Sequence, residues 1–138
     1  EEKPSVEAAS IRKNKETGLN PYAHNYTGLI IMIKPGENFH GRMSPRIVSE
    51  SGVSVYCNMD GLNEEQFNYL INNGIAIFSD NIESAKKRSG ENPMIVEAES
   101  VLGGDTAIID DNIARNILME NSLSQFLSKF KVSFVQIN

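Results

Sequence analysis

The chain has 138 residues, of which 40% are hydrophobic and 22% charged, and its formal net charge is −5. This is the composition of one globular domain with a single core, and it excludes the disordered class. The acidic balance argues against a nucleic-acid binder, which usually needs a basic face, and the longest apolar run, Leu29 to Ile33, is far too short to cross a bilayer.

Two features of the sequence bear on the cellular compartment of the protein, namely the single cysteine and the first residue. Cys57 cannot form an internal disulfide, which fits the cytosol and equally a periplasmic protein stabilised by its core. The chain opens with Glu1 and not with Met, so a processed secretory precursor and an artificially trimmed chain both fit.

The first element predicted along the chain is a short helix at residues 5–16, which ends before Gly18 and has a thin apolar stripe. Residues 21–25 are rich in helix and strand breakers and read as a linker. We therefore divide the chain into an N-terminal helix and linker at residues 1–25 and a single domain at residues 26–138.

Strands account for most of the next segments. A strand is predicted at residues 27–33, and its apolar run from Leu29 to Ile33 is typical of a central strand covered on both faces. A hairpin is predicted from residues 45–49 and 53–57, closed near Gly52, and a second from residues 94–102 and 106–110. Shorter strands are predicted at residues 75–78 and 132–137.

Helix starts are marked by capping signals. Asn63, Asp80 and Ser122 each stand three residues before Gln or Glu, the pattern of a capping box. A further start is predicted at Asp110 or Asp111, in a helix that Asn121 and Ser122 interrupt. In the helix after Asn63 we expect a stop at Gly74 and a buried stripe formed by Phe67, Leu70 and Ile71.

The order of these elements predicts the fold class. Two hairpins among short helices favour an α+β fold, with a mixed, largely antiparallel sheet and helices packed against it, over a doubly wound parallel sheet.

Motifs that carry chemistry are not found. Neither His24 nor His40 has a second ligand-type residue at metal-binding spacing. Glu97 and Glu99 alternate with apolar residues, which is typical of a solvated strand face and not of a catalytic acid pair. We predict no catalytic residue, no metal and no cofactor.

The best candidate surface is the loop from Pro35 to Arg46, which is longer than a tight turn. It carries residue types that are enriched at protein interfaces. The candidate binding residues are Phe39, His40, Arg42, Met43 and Arg46. The alternative is that Phe39 and Met43 fold back onto the core.

Several segments resemble a known bacterial family. They are residues 26–31, 44–47, 55–56, 92–98, 111–114, 126–127 and 132–135. Together they are similar to a domain that accompanies lipoprotein-20-type modules, the group that includes flagellar assembly lipoproteins of P type. The chain departs from that pattern at residues 32–36, where a polar Asp-Ala-Arg-Gly sequence is expected after the first strand. The resemblance implies an exported, envelope-associated and non-catalytic domain.

Three hypotheses for function follow. The first is a non-enzymatic module of the bacterial cell envelope that mediates protein–protein assembly. This hypothesis includes self-association and a flagellar role, and it places any membrane tether upstream of residue 1. The second is a small-ligand-binding domain or an enzyme of unfamiliar type, whose groups converge in space. The third is an intracellular regulatory domain that recognises a peptide by strand addition, for which an open edge strand is the signature. The expected location is periplasmic or envelope under the first hypothesis and cytoplasmic under the third.

Overall fold

The computed structural model describes residues 25–40, 45–56 and 62–137. The helix predicted at residues 5–16 lies outside these ranges, as does Cys57. The described elements, in chain order, are β1 (Gly28–Ile33), β2 (Arg46–Ser49), β3 (Ser54–Tyr56), α1 (Glu64–Asn73), β4 (Ile77–Ser79), α2 (Ile82–Ser89), β5 (Pro93–Glu97), β6 (Ser100–Leu102), β7 (Thr106–Ile109), α3 (Asp111–Ser124) and β8 (Val132–Gln136). Over these ranges, no helix has both the length and the hydropathy that a bilayer crossing requires.

Within the described ranges the strands form two four-stranded sheets. Sheet A has the order β4-β8-β1-β5 and is parallel throughout. Sheet B has the order β3-β2-β7-β6, with β2 and β7 parallel at its centre and an antiparallel partner at each edge. The predicted α+β class is confirmed.

The strand pairing is more parallel than the sequence predicts, because one arm of a predicted hairpin is divided between the two sheets. Turns near Gly52 and Gly103 do form hairpins, β2–β3 and β6–β7. The segment predicted as one long arm, residues 94–102, is instead divided between the sheets. The N–H of Ala98 donates to Met32 O in sheet A, and the N–H of Glu99 donates to Ile108 O in sheet B. The chain thus changes sheets across one peptide bond, and β5 pairs in parallel with β1.

The core lies between the two sheets. Alternate residues of β1, among them Leu29 and Ile31, face the main core, which Ile47 of β2 and Ile117 of α3 also enter. The opposite face of β1 carries Ile30, which packs under α2. β1 is therefore buried on both faces, as its sequence predicts.

Helix α2 packs closely on sheet A near Gly28. Ser89 at the end of α2 donates from Oγ to Leu29 O, and its Oγ lies 2.7 Å from Ser133 Oγ of β8. A Cβ atom at Gly28 would overlap the carbonyl oxygens of Ser89 and Lys131. Glycine permits this close approach of three backbone segments.

The helix caps agree in part with the sequence. Asn63 and Gln66 form the predicted capping box, α1 stops at Gly74, and Asp110 caps α3 by accepting from two backbone N–H groups. The cap of α2 is Asn81, one residue after the predicted Asp80.

The predicted interruption of α3 at Asn121 and Ser122 is wrong. The helix continues to Ser124 and ends where Gln125 adopts a left-handed conformation with φ 62°. Asn121 keeps its helical place because its side-chain oxygen accepts from the N–H of Leu127, beyond the helix end. The segment that follows forms turns that place Phe126 and Phe130 in the core.

The predicted stripe on α1 is also wrong in two of its three residues. None of the ten residues of α1, all of them within the described part, is buried, and Phe67 and Ile71 are 54% and 66% exposed. The helix contacts the domain through another side. Tyr69 stacks on Phe130 with ring centroids 5.9 Å apart, and Gln66 Nε2 donates to Ser128 O.

Candidate functional site

The candidate site is a cleft of about 380 Å³ at the carboxyl end of sheet A. It lies where β1, β4 and β8 end and where the loop after β1 turns back over them. Its described lining consists of Ile33, Phe39, His40, Phe78, Ser79, Asp80, Phe134 and Gln136. The carboxyl edge of parallel strands is where α/β sheets commonly bind ligands, since the loops there are free of the hydrogen-bonded sheet.

Three phenylalanine rings form the apolar wall of the cleft. The centroid of Phe39 lies 4.9 Å from that of Phe134 and 5.7 Å from that of Phe78, and Phe78 stacks on Phe134 at 5.6 Å. These separations are within the range of favourable aromatic pairs. Phe134 is buried, whereas Phe78 is 42% exposed, so the wall opens towards solvent at Phe78.

Polar groups hold the loop that closes the cleft. Gln136 Nε2 donates to Lys34 O and Glu37 O, which fixes the turn after β1. The backbone N–H of His40 donates to Gly104 O at 2.8 Å, and the His40 ring lies against Gly104, where a Cβ would overlap it. The loop therefore bridges sheet A and the β6–β7 turn of sheet B.

The structure separates the predicted loop residues. Phe39 and His40 line the cleft, and Phe39 also packs on the core, so its ring combines the two alternatives drawn from the sequence. Arg46 lies outside the lining, at the exposed start of β2, where its N–H donates to Asp105 O. Arg42 and Met43 lie outside the described residues.

Sequence reasoning missed the lining residues contributed by β4 and β8. Phe78, Asp80, Phe134 and Gln136 come from segments that are about fifty residues apart in the chain. The available signal was that parallel strands present their carboxyl ends at one edge, but the sequence predicted largely antiparallel pairing.

A second cluster consists of three carboxylates on the other sheet. Glu50, Glu99 and Asp110 have carboxylate oxygens within 4.8 Å of one another, although they come from the β2–β3 turn, the β5–β6 link and the cap of α3. Glu97, which the sequence pattern places on the same solvated strand face as Glu99, belongs to β5 and is exposed on sheet A. Glu99 is thus in an acidic cluster, but with residues that the alternation pattern could not indicate.

The electrostatics of this acidic cluster follow from its like charges. The hydrogen bond with Glu99, desolvation, and the negative charges of Glu99, Asp110 and Asp111 raise the pKa of Glu50. The pKa of Asp111 is lowered, because its carboxylate accepts from the backbone N–H and the hydroxyl of Ser51, each at 3.0 Å. Carboxylate oxygens suit hard cations, but Glu50 and Glu99 are exposed and Asp110 is engaged in capping α3, so we assign no ligand here.

The comparison with known families covers the described fold from its first strand to its last. The sequence-family model for the second domain of Treponema pallidum Tp0624 matches residues 28–137 of this chain, from the start of β1 to just beyond β8. The chain belongs to this family. Membership makes it a bacterial domain. No curated protein matches the chain.

Proposed function

We propose that this member of the Tp0624 second-domain family is a non-enzymatic module of the bacterial cell envelope that mediates protein–protein assembly through the aromatic cleft. The observation that carries the proposal is the position of Phe78. This large apolar side chain is 42% exposed, lies on an edge strand of sheet A as far as the chain is described, and forms the open side of a wall of three phenylalanines. Exposed aromatic side chains in a concave surface are typical centres of protein interfaces.

Two polar groups of the cleft, Asp80 and Ser79, are engaged with the start of α2. Asp80 accepts from the side-chain amide of Asn81 at 2.8 Å, and Ser79 Oγ donates to Asn81 O at 3.0 Å. Both groups therefore organise the start of α2. A general base needs a partner that orients it toward a substrate, whereas these groups are directed at the backbone and side chain of the helix cap.

Periplasmic or envelope location belongs to the same proposal. It is supported by membership of a bacterial family and by the resemblance to envelope lipoprotein domains. A flagellar role and self-association rest on that resemblance alone. Fractionation of the encoding bacterium, with mass spectrometry of the mature N-terminus, tests the location. A processed, envelope-bound form is expected, and an unprocessed cytosolic form would contradict it.

The assembly role is tested by measuring the affinity between this protein and a purified partner. The tagged full-length protein is recovered from its bacterium, the proteins that co-purify are identified by mass spectrometry, and each is made recombinantly. Phe78→Ala is expected to weaken the affinity for the true partner by about tenfold or more, the size of a hot-spot truncation. Leu102→Ala, a matched change at a 65% exposed residue of sheet B, is expected to leave the affinity within about twofold.

Thermal melts verify that both variants are folded. Equal effects of the two substitutions, or no effect of Phe78→Ala, would exclude the cleft as the binding surface.

The small-ligand hypothesis keeps one specific observation in its favour. The cleft volume of about 380 Å³ is within the range of small-molecule sites. A metabolite that co-purifies with the protein and is displaced by Phe78→Ala would favour this alternative over assembly.

A further inference from the structure

We propose that the partner enters the cleft as an extended strand that pairs with β4, and that it carries a large apolar side chain beside Phe78 and a basic side chain beside Asp80. This inference rests on the proposed function and specifies the chemistry of the partner segment.

Sheet A contains an incomplete row of apolar side chains that runs across its strands. In the observed register Val96 is opposite Ile31, Ile31 is opposite Phe134, and Phe134 is opposite Phe78. Opposite residues point to the same face, so these four side chains form one apolar row. The first three are at most 1% exposed, whereas Phe78 is 42% exposed. One more strand beside β4 would place a side chain next to Phe78 and complete the row.

The outer edge of β4 has backbone groups to which an added strand can bind. Within the described ranges β4 is the last strand of sheet A and pairs on one side only, with β8. A strand directs alternate backbone N–H and C=O groups to its two sides, so β4 has such groups facing away from β8. Added strands use these groups for affinity and neighbouring pockets for specificity. Here the pocket is the cleft, which is lined by Phe78 and Ser79 of β4 itself.

Charge complementarity favours a basic partner segment. Asp80, directly after β4, is the one acidic or basic residue other than His40 in the described lining of the cleft. Glu83, in the first turn of α2, is already paired, since its carboxylate lies 3.7 Å from Lys86 Nζ. The whole chain carries a formal charge of −5. A partner segment with Lys or Arg close to its apolar residue therefore fits this edge better than an acidic one.

The experiment uses a synthetic peptide and the isotope-labelled full chain. The probe is acetyl-Thr-Lys-Val-Phe-Val-Lys-Thr-amide, whose pattern can pair with β4 in either direction and places Lys two residues from Phe, as Asp80 is two residues from Phe78. One matched peptide is N-methylated at Phe and at the following Val, which removes donors on both edges of the strand. A second matched peptide has Glu in place of both Lys.

Amide shifts in NMR titrations report the binding site and the affinity. The probe is expected to shift the resonances of residues 77–79 and of Phe39 and His40. N-methylation is expected to weaken binding by about tenfold, because it removes backbone hydrogen bonds. Replacement of both Lys by Glu is expected to weaken binding by at least about threefold. Equal affinity of the N-methylated peptide, shifts confined to other elements, or no binding of the probe would each overturn strand addition at β4.

The two proposals fail separately. If the purified partner loses affinity with Phe78→Ala but the amides of residues 77–79 show no new hydrogen-exchange protection in its complex, the cleft is the assembly surface and the strand inference is wrong. If the peptide binds as expected while partner affinity is insensitive to Phe78→Ala, the edge accepts strands but the proposed assembly function of the cleft is wrong.

Discussion

Arg88 is a buried cation whose partners are backbone carbonyls. It is 7% exposed; its Nε donates to Phe130 O at 2.6 Å, Nη1 donates to Asn73 O at 3.0 Å, and Nη2 donates to Gly74 O. Its guanidinium carbon lies 5.2 Å from the centre of the Tyr69 ring. Arg88 thus joins the carboxyl end of α1, where helix carbonyls need donors, to the loop before β8.

Replacement of Arg88 is expected to be costly. Arg88→Leu should lower the free energy of unfolding by about 2 to 4 kcal/mol, because three backbone carbonyls lose their donor, including that of the buried Phe130. Its neighbour Lys87 is exposed, and Lys87→Leu should change the same quantity by less than about 0.5 kcal/mol. Urea denaturation measures both. Similar losses in the two variants would show that the carbonyl contacts of Arg88 do not stabilise the fold.

The acidic cluster predicts a pH-dependent effect of Glu50. The pKa of Glu50 is raised above its ordinary value of 4.5 in the folded chain. At pH values between 4.5 and this raised pKa, the folded state therefore binds more protons than the unfolded state. Stability therefore falls as pH rises through this interval. Glu50→Gln should raise Tm at pH 7, where the repulsion is fully present, and the gain should vanish below pH 4.5.

The control for this prediction is Glu97→Gln, on the exposed end of β5 and outside the cluster. It should show no comparable difference between the two pH values. A Glu50→Gln effect that is the same at neutral and acid pH would mean that charge repulsion is not its cause.

Contacts between residues close together in the chain could be predicted from the sequence, whereas contacts between residues far apart in the chain could not. The capping box of Asn63 and Gln66 is legible because both partners lie within four residues. Arg88 reads in the sequence as part of a solvated basic run, Lys86-Lys87-Arg88, because its acceptor Phe130 O is 42 residues away. Burial of one member of such a run depends on the tertiary fold.

At the scale of elements, α1 shows that an apolar stripe does not say which side of a helix is covered. Phe67 and Ile71 lie one turn apart and face solvent, whereas Tyr69 and Leu70 pack against the core. Phe67 and Ile71 have helical spacing whereas Tyr69 and Leu70 are consecutive, so periodicity alone favours the pair that faces solvent. The choice is made by Phe130 and Ser128, which come from a distant turn.

Polar substitutions separate the two sides of α1. Phe67→Ser and Ile71→Ser should each change the free energy of unfolding by no more than about 0.5 kcal/mol, because the lost side chains are exposed. Leu70→Ser should cost about 1 to 3 kcal/mol, because Leu70 is packed against the core. Chemical denaturation of the three variants makes the comparison. A loss at Phe67 as large as that at Leu70 would mean that the exposed face is covered in solution.

At the scale of the whole molecule, β1 is the element on which both layers depend. It pairs with β5 and β8, and its two faces enter the two cores. Its burial was predictable, because five apolar residues in succession leave no polar face. The division of the strands between two sheets was not, because it depends on the switch at Ala98 and Glu99, where the sequence continues without a turn signal.

Ile31→Asp tests the central place of β1. Ile31 has no exposed surface and lies between Val96 and Phe134, so the substitution buries an unpaired carboxylate and should prevent stable folding. Leu102→Asp, on an edge strand of sheet B and 65% exposed, should remain folded. Circular dichroism with thermal melts reports both. An unchanged melting temperature for Ile31→Asp would contradict the assignment of β1 as the central strand.

The most direct test of assembly through the cleft is site-specific cross-linking in the living bacterium. The photoreactive residue benzoylphenylalanine replaces Phe78 in one strain and Leu102 in another, and the cross-linked proteins are identified by mass spectrometry. The account predicts one defined envelope protein at position 78 that is absent at position 102, with a yield that falls when unlabelled chain is co-expressed. No cross-link at position 78, or the same products at both positions, would contradict assembly through the cleft.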